Sequence, residues 1–334
     1  MQLSVYPCFS IFSGMKTTLL FLSVFLSASL FGQNVYIPDA NFKAYLVGNS
    51  EINTNGDNEI QLSEASVFYG AINCYTLQIE NLQGIEAFTA LTELYCYHNN
   101  LTSIDVSQNT ALEILQCNNN QLSSLDVSQN LLLETLTCYD NQLTNLDVSQ
   151  NTALELLQFQ YNQLSSLDVS QNTALTCLNF HYNQITSLDV SQNTALAFLD
   201  CIGNQLTSLD VSQNTALYHL HCGWNHLTCL NVVNGNNTAI YQFLAMGNPN
   251  LTCVEVDDAE WSFENWTNID SQTSFSEECN NDCPPSTVGI NDLTTSKNLI
   301  QIFDMMARET SFKPNTTLIY VYDDGSIEKV FTIE

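Results

Sequence analysis

Apolar residues recur with two nested periods between residues 91 and 230. The longer period is nearly verbatim, since the Asp of an LDV triplet returns every 21 residues from Asp105 to Asp210. Within each period the apolar residues alternate with polar ones twice, first at Leu94 and Cys96 and again ten residues later. Alternation of this kind predicts short strands, and a fixed period of this length predicts a solenoid of stacked coils.

Each predicted coil has two similar sides and cannot bury its apolar residues alone. Stacking the coils about 4.8 Å apart would pair each strand with the same strand of the next repeat, giving a continuous core with parallel sheet on one or both sides. An asparagine follows the first strand of every repeat, where its amide can bond backbone groups at the turn. We interpret these asparagines as a structural ladder. They are Asn99, Asn120, Asn141, Asn162, Asn183, Asn204 and Asn225.

The repeat unit LxxLxCxxN followed by LTSLDVSQNTA resembles the leucine-rich repeat family, in its short bacterial class with 21 residues per repeat. The resemblance covers roughly residues 72 to 256. It implies a solenoid whose variable strand face binds a partner, and it implies no catalytic residues. The expected fold class is therefore a repeat solenoid, mainly β, with short parallel strands, a cap at each end and a small C-terminal β-domain.

Both ends of the chain indicate export. The apolar run from residue 19 to residue 30 follows Lys16 and is similar to a secretory signal peptide, with Met15 as an alternative start. A membrane anchor is the competing interpretation, but the run is short for a span, so no span is expected in the mature chain. Residues 288–334 resemble the C-terminal sorting domain of type IX secretion in Bacteroidetes-type bacteria, with a turn at Asp324 and Gly325. A small β-module capping the solenoid is the alternative.

These patterns divide the chain into five parts and give its expected location. The parts are a signal peptide at 1–32, an N-terminal cap at 33–90, the solenoid at 91–256, a C-terminal cap and linker at 257–287, and the sorting domain at 288–334. We expect the protein to be secreted or held at the outer-membrane surface.

Charge excludes several partner classes. The chain has only six Lys and Arg against 35 Asp and Glu, a net charge of −29, and residues 44–296 contain no Lys or Arg at all. Without cations to offset phosphates, binding to nucleic acid or to an anionic membrane surface is not expected.

Differences between the copies concentrate around the first strand, so we place partner binding on its outward positions. Tyr, His and Trp on a rigid sheet provide amphipathic contact area at little entropic cost. A protein partner is expected, with a glycan, or a structural surface role without a specific ligand, as the alternatives. Simple β-propensity is a further explanation of the aromatics. The candidate partner-binding residues are Tyr95, Tyr97, His98, Tyr139, Tyr161, His181, Tyr182, His221 and Trp224.

Oxygen-bearing side chains alternate in the sequence INTNGDNEIQLSEA ahead of the repeats. Their spacing resembles an EF-hand loop, although Asn53 replaces the usual first Asp and Asn58 stands where the loop favours Gly. The segment could also be a cap over the first coil and nothing more. No cofactor is required by the sequence, and calcium is the one that it suggests. The candidate ligands are Asn53, Asn55, Asp57, Glu59 and Glu64.

Cysteines fall into two sets. Those at one core position of successive coils are expected to be buried free thiols, and they are Cys96, Cys117, Cys138, Cys201 and Cys222. Near the end of the solenoid one disulfide is expected, with Cys253–Cys279 as first choice and Cys229–Cys253 as the alternative. The five histidines form no pattern with a nucleophile, so no catalytic residues and no enzymatic activity are predicted.

Overall fold

A computed structural model describes residues 32–279 in full and, beyond them, the backbone of three strands at 299–304, 317–322 and 327–331. The chain forms two compact units, residues 1–288 and 289–334. The predicted signal peptide up to residue 31 and the predicted turn at Asp324 and Gly325 lie outside the described residues. Among the helices of the described part, none is long and apolar enough to cross a bilayer.

The N-terminal cap begins with helix α1, Ala40–Gly48. Asp39 starts the helix by accepting hydrogen bonds from two backbone amides of its first turn, the ordinary role of an N-cap carboxylate. Its second oxygen accepts from the amides of Glu80 and Asn81 and so ties the helix to the first coil. Phe42 and Leu46 are fully buried, which covers the open end of the core. A short helix α2, Leu62–Ala65, completes the cap.

One parallel sheet runs along the whole solenoid, with one short strand from each coil. Its nine strands stack in the order β1, β2, β3, β4, β5, β6, β7, β9 and β11, so it begins before residue 91. They are β1 Gly70–Asn73, β2 Leu91–Tyr95, β3 Ile114–Gln116, β4 Thr135–Thr137, β5 Leu156–Gln158, β6 Cys177–Asn179, β7 Phe198–Asp200, β9 His219–His221 and β11 Gln242–Leu244. The repeat solenoid predicted from the periodicity is confirmed, as is its mainly β character.

A second sheet forms on the opposite side of the coils, but only near the C-terminal end. Its four strands stack in the order β13, β12, β10 and β8. They are β8 Ser208–Asp210, β10 Cys229–Asn231, β12 Cys253–Glu255 and β13 Ser274–Ser276. On this side the carbonyl oxygens of valines that follow the strand positions accept from asparagine side chains, as when Asn130 donates to Val106 and Asn214 to Val190.

The interior is a continuous stack of Leu, Val and Ile with one column of sulfur and phenyl groups. The five predicted core cysteines are buried and free, and Cys74 extends the column by one coil. Phe159 and Phe180 occupy the same position in two coils and stack with ring centroids 5.7 Å apart. Burial raises the pKa of the Cys117 thiol to about 12, so this thiol is neutral and packs as a small apolar group.

The predicted asparagine ladder is present. Asn162 is representative: its amide donates to the carbonyls of Cys138 and Phe159, and its oxygen accepts from the amide of Leu143. One side chain therefore bonds backbone groups of two adjacent coils. Such buried amides supply partners for backbone groups that strand pairing leaves open.

A second asparagine ladder lies on the opposite side of the coils and was not anticipated. Each of its amides donates to two carbonyls, as Asn151 does to Val127 and Asn130. Their Oδ1 atoms are buried without a hydrogen-bond partner among the described residues. Unlike Asn162, the asparagines of this column donate side-chain hydrogen bonds but accept none from the described residues. The column consists of Asn109, Asn130, Asn151, Asn172, Asn193 and Asn214.

The aspartates of the LDV triplets accept local backbone hydrogen bonds. Asp126 accepts from the backbone amide of Ser128 at 2.9 Å, and the same bond recurs in the neighbouring repeats. This bond holds the pKa of the exposed Asp126 carboxyl below its ordinary value. The aspartate column is a row of turn-forming side chains.

The C-terminal end of the solenoid is closed by helix α3, Ala259–Asn265, and by a disulfide. Trp266 is buried, stacks on Phe243 and donates its indole N–H to the carbonyl of Ile240. Cys253 is bonded to Cys279, the pair placed first on sequence grounds, so the alternative bond between Cys229 and Cys253 is not formed.

The second unit contains an antiparallel sheet of three strands in sequential order. They are β14 Leu299–Asp304, β15 Thr317–Tyr322 and β16 Ile327–Phe331. The alternating apolar residues of this segment therefore do form strands, and β15 and β16 pair as neighbours with Val321 opposite Ile327.

Candidate functional site

From β2 to β11, one position in every coil, just after the strand of the long sheet, has a left-handed backbone. Its φ lies between 50° and 54° wherever the residue is not glycine. Left-handed backbone favours Gly, Asn and Asp, and it is uncommon for aromatic residues. The left-handed column, as we name this set, comprises His98, Asn119, Asp140, Tyr161, Tyr182, Gly203, Trp224 and Gly247.

Large aromatic rings in the left-handed column are about half exposed. The exposed fractions are 47% for Tyr161, 50% for Tyr182 and 51% for Trp224. These three residues are outside the strands, so β-propensity does not account for them. Each pays for an unfavourable backbone conformation without burying its ring fully. This combination is typical of residues retained for contact with another molecule.

Glycines in the same column give the rings room to lie along the next coil. A Cβ atom on Gly203 would stand 2.7 Å from the ring of Tyr182, and one on Gly247 would stand 2.9 Å from the ring of Trp224. Side chains there would displace the rings. The two glycines therefore fix the rings as flat platforms on the surface.

The nine predicted partner-binding residues all lie along the carboxyl ends of the long sheet's strands, in adjacent columns. Four of them are exposed, namely His98, Tyr161, Tyr182 and Trp224. Five are partly buried, namely Tyr95, Tyr97, Tyr139, His181 and His221. Tyr95 is bonded to Glu93, and its pKa is raised to about 12 by burial and by that carboxylate. The nine predicted residues thus lie on one surface, on which some side chains are exposed and others are partly buried.

Two groups of rings stand out on this surface. Tyr161 and Tyr182 stack at 5.1 Å between centroids, and His181 meets both rings edge-on. At the N-terminal end Tyr97 stacks on Tyr75 at 4.7 Å, with an angle of 3° between the rings. Aromatic pairs of this geometry hold each other rigid, which lowers the entropy lost on binding.

A cluster of histidine and aspartate lies beside the first group of rings and was missed by sequence reasoning. Asp200 of β7 pairs in register with His221 of β9, and His219 lies two residues before His221 on the same side of the strand. The potential ligand atoms of these three residues all lie within 4.8 Å of one another. The signal was available, because Asp200 and His221 are one repeat period apart.

The imidazoles of this cluster are electrically neutral at neutral pH. The pKa of His219 is lowered to about 4, mainly by burial and also by His221, while Asp200 acts in the opposite direction. Burial also lowers the pKa of His221 against the influence of Asp200. The pKa of a histidine that keeps its ordinary surroundings is about 6.5. Each ring of this pair therefore presents an unprotonated nitrogen.

The predicted calcium loop is closed by bonds among its own residues. Both oxygens of Glu64 are engaged, with Thr54 and Asn55 on one and the amide of Gln61 on the other. Asp57 accepts from the side chains of Asn55 and Gln61. The carboxylate oxygens of Glu64 and Asp57 therefore serve as hydrogen-bond acceptors within the loop.

Two of the candidate ligands have other roles in the loop. Asn53 is buried and bonds the carbonyls of Val47 and Asp57 through its amide group. Glu59 forms an ion pair with Lys43 at 2.7 Å. The oxygen of Asn53 accepts from the amide of Gly56.

The fold and its surface resemble those of leucine-rich repeat proteins, with aromatic residues along the strand face. A family model described as Leucine Rich repeats (2 copies) matches residues 89–130. Over 78 residues, 23% of this chain and 8% of the relative, the chain is 36% identical to Internalin J of Listeria monocytogenes serotype 4b (strain F2365).

Solved structures agree with this fold. The functional domain of InlJ from Listeria monocytogenes, which includes a cysteine ladder, matches with a TM-score of 0.57 and 34% identity over 67% of this chain. The chain spans 53% of that domain. Internalin C2 from Listeria monocytogenes str. 4b F2365 matches with a TM-score of 0.50 and 15% identity, over 73% of this chain and 98% of its own, which bears on the fold alone. The chain is thus similar to internalins, and its own buried cysteines stack in one core column.

Proposed function

We propose that this chain is an exported, cell-surface binding protein that recognises a protein partner through its strand face and has no enzymatic activity. The observation that carries the proposal is the exposed aromatic rings of the left-handed column. Backbone conformation alone would place Gly or Asn at these positions. Tyr161, Tyr182 and Trp224 occur there instead, and they are residue types that dominate protein interfaces.

The surroundings of the rings suit a broad, neutral or basic partner surface. No Lys or Arg lies between residues 44 and 296, whereas the chain as a whole has a net charge of −29. A partner with an acidic surface would be repelled, and a basic patch would be steered toward the sheet. Adhesion to a protein on another cell is the form of recognition that we favour.

A glycan partner is the second candidate, and the flat rings over Gly203 and Gly247 support it. Carbohydrate rings pack their apolar faces on such platforms, and the amides beside them can bond hydroxyl groups. The two candidates differ in how binding energy is distributed. A glycan should depend on one ring, whereas a protein should depend on several coils with a few hot spots.

The test is binding of the full chain to surface-protein extracts, to intact cells and to a glycan array, with two triple variants. The first changes Tyr161, Tyr182 and Trp224 to Ala. The matched control changes three exposed glutamines of the opposite side, Gln129, Gln150 and Gln171, to Ala. Loss of binding in the first variant alone supports the proposal, and the array or the extract names the partner class. Equal binding by all three proteins would place recognition elsewhere, and absence of binding in all would favour a structural role.

We further propose that export uses the two ends of the chain. The apolar run after Lys16 would act as a signal peptide, and the unit at 289–334 as a type IX sorting domain that places the protein at the surface of a Bacteroidetes-type cell. The three-stranded sheet of that unit is compatible with such a module. Deleting residues 289–334 in the native host should leave the solenoid inside the cell envelope. Normal surface display of the truncated chain would contradict the sorting role.

Calcium at the N-terminal loop is also a proposal. Asn55 hydrogen-bonds both Asp57 and Glu64, so these residues are neighbours in the loop, and oxygens of this type are the ligands that calcium prefers. A calcium titration of the full chain should raise its unfolding temperature, and Asp57→Asn should reduce that rise. An unchanged unfolding temperature would leave the loop a cap without an ion.

A further inference from the structure

We infer that Asp200, His219 and His221 form a site for a late first-row divalent cation, with zinc as the physiological candidate. The inference goes beyond partner recognition, and zinc binding is measurable without any partner. The three side chains come from two adjacent strands of the long sheet, β7 and β9, and stand on one face of it. Among the described residues, this is the one group of three such side chains whose ligand atoms approach one another closely.

The distances fit a small contraction around an ion. Ligand atoms of the three residues lie within 4.8 Å of one another, and the Nδ1 of His221 is 4.0 Å from the Oδ2 of Asp200. Two ligands of a tetrahedral zinc ion stand about 3.3 Å apart, given bonds of about 2.0–2.1 Å to nitrogen or oxygen. Side-chain rotations that close the group by about 1.5 Å would complete the site.

Buried imidazole nitrogens without hydrogen-bond partners among the described residues indicate a site for a cation. The Nε2 of His219 is buried and has no hydrogen-bond partner among the described residues. The Nδ1 of His181 is in the same condition, 3.5 Å from the carboxylate of Asp200. Asp200 is only 9% exposed, and no Lys or Arg of the solenoid is available to balance its charge. Buried charges without an ionic partner are costly, and a divalent cation would remove this cost.

Neighbouring side chains hold the candidate ligands in place. The ring of His219 stacks on Phe198 at 3.8 Å between centroids, and it is 3.8 Å from the ring of His221. The second oxygen of Asp200 accepts from the backbone amide of Ile202 at 3.2 Å. These contacts orient the ligands from behind, as outer-shell groups do in zinc sites.

Ligand chemistry selects the cation. Neutral imidazole and carboxylate together favour zinc and its neighbours in the first transition row, whereas calcium and magnesium require oxygen ligands. Two histidines and one carboxylate leave a coordination position for water or for a group of another molecule. The site lies beside Tyr182, so such a group would come from the direction of the strand face.

The experiment is a zinc titration of the chelator-treated full chain by calorimetry, in calcium-free buffer. Two double variants are compared: His219→Ala with His221→Ala, and the control His98→Ala with His226→Ala, which removes two exposed imidazoles. We expect one zinc per chain in the wild type and in the control. Affinity should fall at least tenfold in the first double variant and in Asp200→Asn, since even outer-shell changes cost about 10- to 100-fold.

A second measurement separates this site from the cysteines and does not depend on variants. Cobalt bound to the wild-type chain should show visible bands without the near-ultraviolet band of thiolate ligation. A thiolate band would assign the metal to cysteine and overturn the inference. Absence of zinc binding by the wild type would overturn it as well, and so would equal affinity in the two double variants when circular dichroism shows both to be folded.

Discussion

The two sides of each coil follow different rules. On the side of the LDVSQNTA segment every coil makes the same bonds, with Asp126-type turns and Asn151-type amides repeated from coil to coil. On the strand side the backbone pattern is equally regular, but the outward side chains change from coil to coil, from Tyr161 through Asp200 to Trp224. The repeated bonds of the LDVSQNTA side are those that the stacking of coils requires. What differs on the strand side is therefore available for recognition and for metal binding.

The largest expected effect concerns the ladder behind the strand face. Asn162→Ala removes two donated bonds and leaves the amide of Leu143 without an acceptor. Buried groups left unpaired cost about 1–3 kcal/mol each, so we expect a loss of about 4 kcal/mol in the free energy of unfolding. Urea denaturation measures it. The control Gln163→Ala is exposed and should change stability by less than about 0.5 kcal/mol.

The matching substitution on the regular side should cost less. Asn151→Ala removes two donated bonds, but its Oδ1 has no partner among the described residues and its loss leaves no donor unpaired. We expect about 2 kcal/mol in the same denaturation assay. A loss equal to that of Asn162→Ala would mean that the two ladders contribute alike and that the unpaired oxygen is irrelevant.

On the strand face, stability and binding should separate. Tyr161→Asn places a residue that tolerates left-handed backbone at φ 54°, so the backbone gain should offset the lost ring stacking. We expect the free energy of unfolding to change by less than about 1 kcal/mol while binding to the partner weakens. A large destabilisation with intact binding would instead make Tyr161 a structural residue.

The smallest effect concerns pH and the N-terminal cap. Burial raises the pKa of Asp39, but its four backbone hydrogen bonds outweigh burial and leave the pKa below its ordinary value of 3.8. A carboxyl whose pKa is lower in the folded state than in the unfolded state stabilises the fold at pH values above the unfolded-state pKa. This contribution is lost as the pH falls through the folded-state pKa. The stability difference between wild type and Asp39→Asn should therefore be present at pH 6 and shrink below about pH 4. Thermal unfolding of both proteins across this pH range measures the stability difference. A difference that does not change with pH would mean that the side chain's shape, and not its charge, stabilises the cap.

Repetition made most of the architecture predictable from the sequence alone. The period fixes which residues face inward, so the core column of Cys96 and the ladder of Asn162 follow from the spacing of the letters. Partner binding through residues such as His98 remains a prediction, and so does calcium binding by Asp57; the fold gives the positions of these residues only. The left-handed column also left a trace in the sequence, because Asn119, Asp140 and Gly203 share a repeat position with the aromatics.

Tertiary structure alone decided three features. The second sheet forms only from Ser208 onward, although the sequence is equally alternating in earlier coils. Rings lie flat over Gly203 because a missing Cβ leaves space that no sequence pattern measures. Asp200 meets His221 because parallel register converts one repeat period into a distance of a few ångströms. Sequence determines what repeats along a chain, while distances across the sheet depend on how neighbouring coils pair.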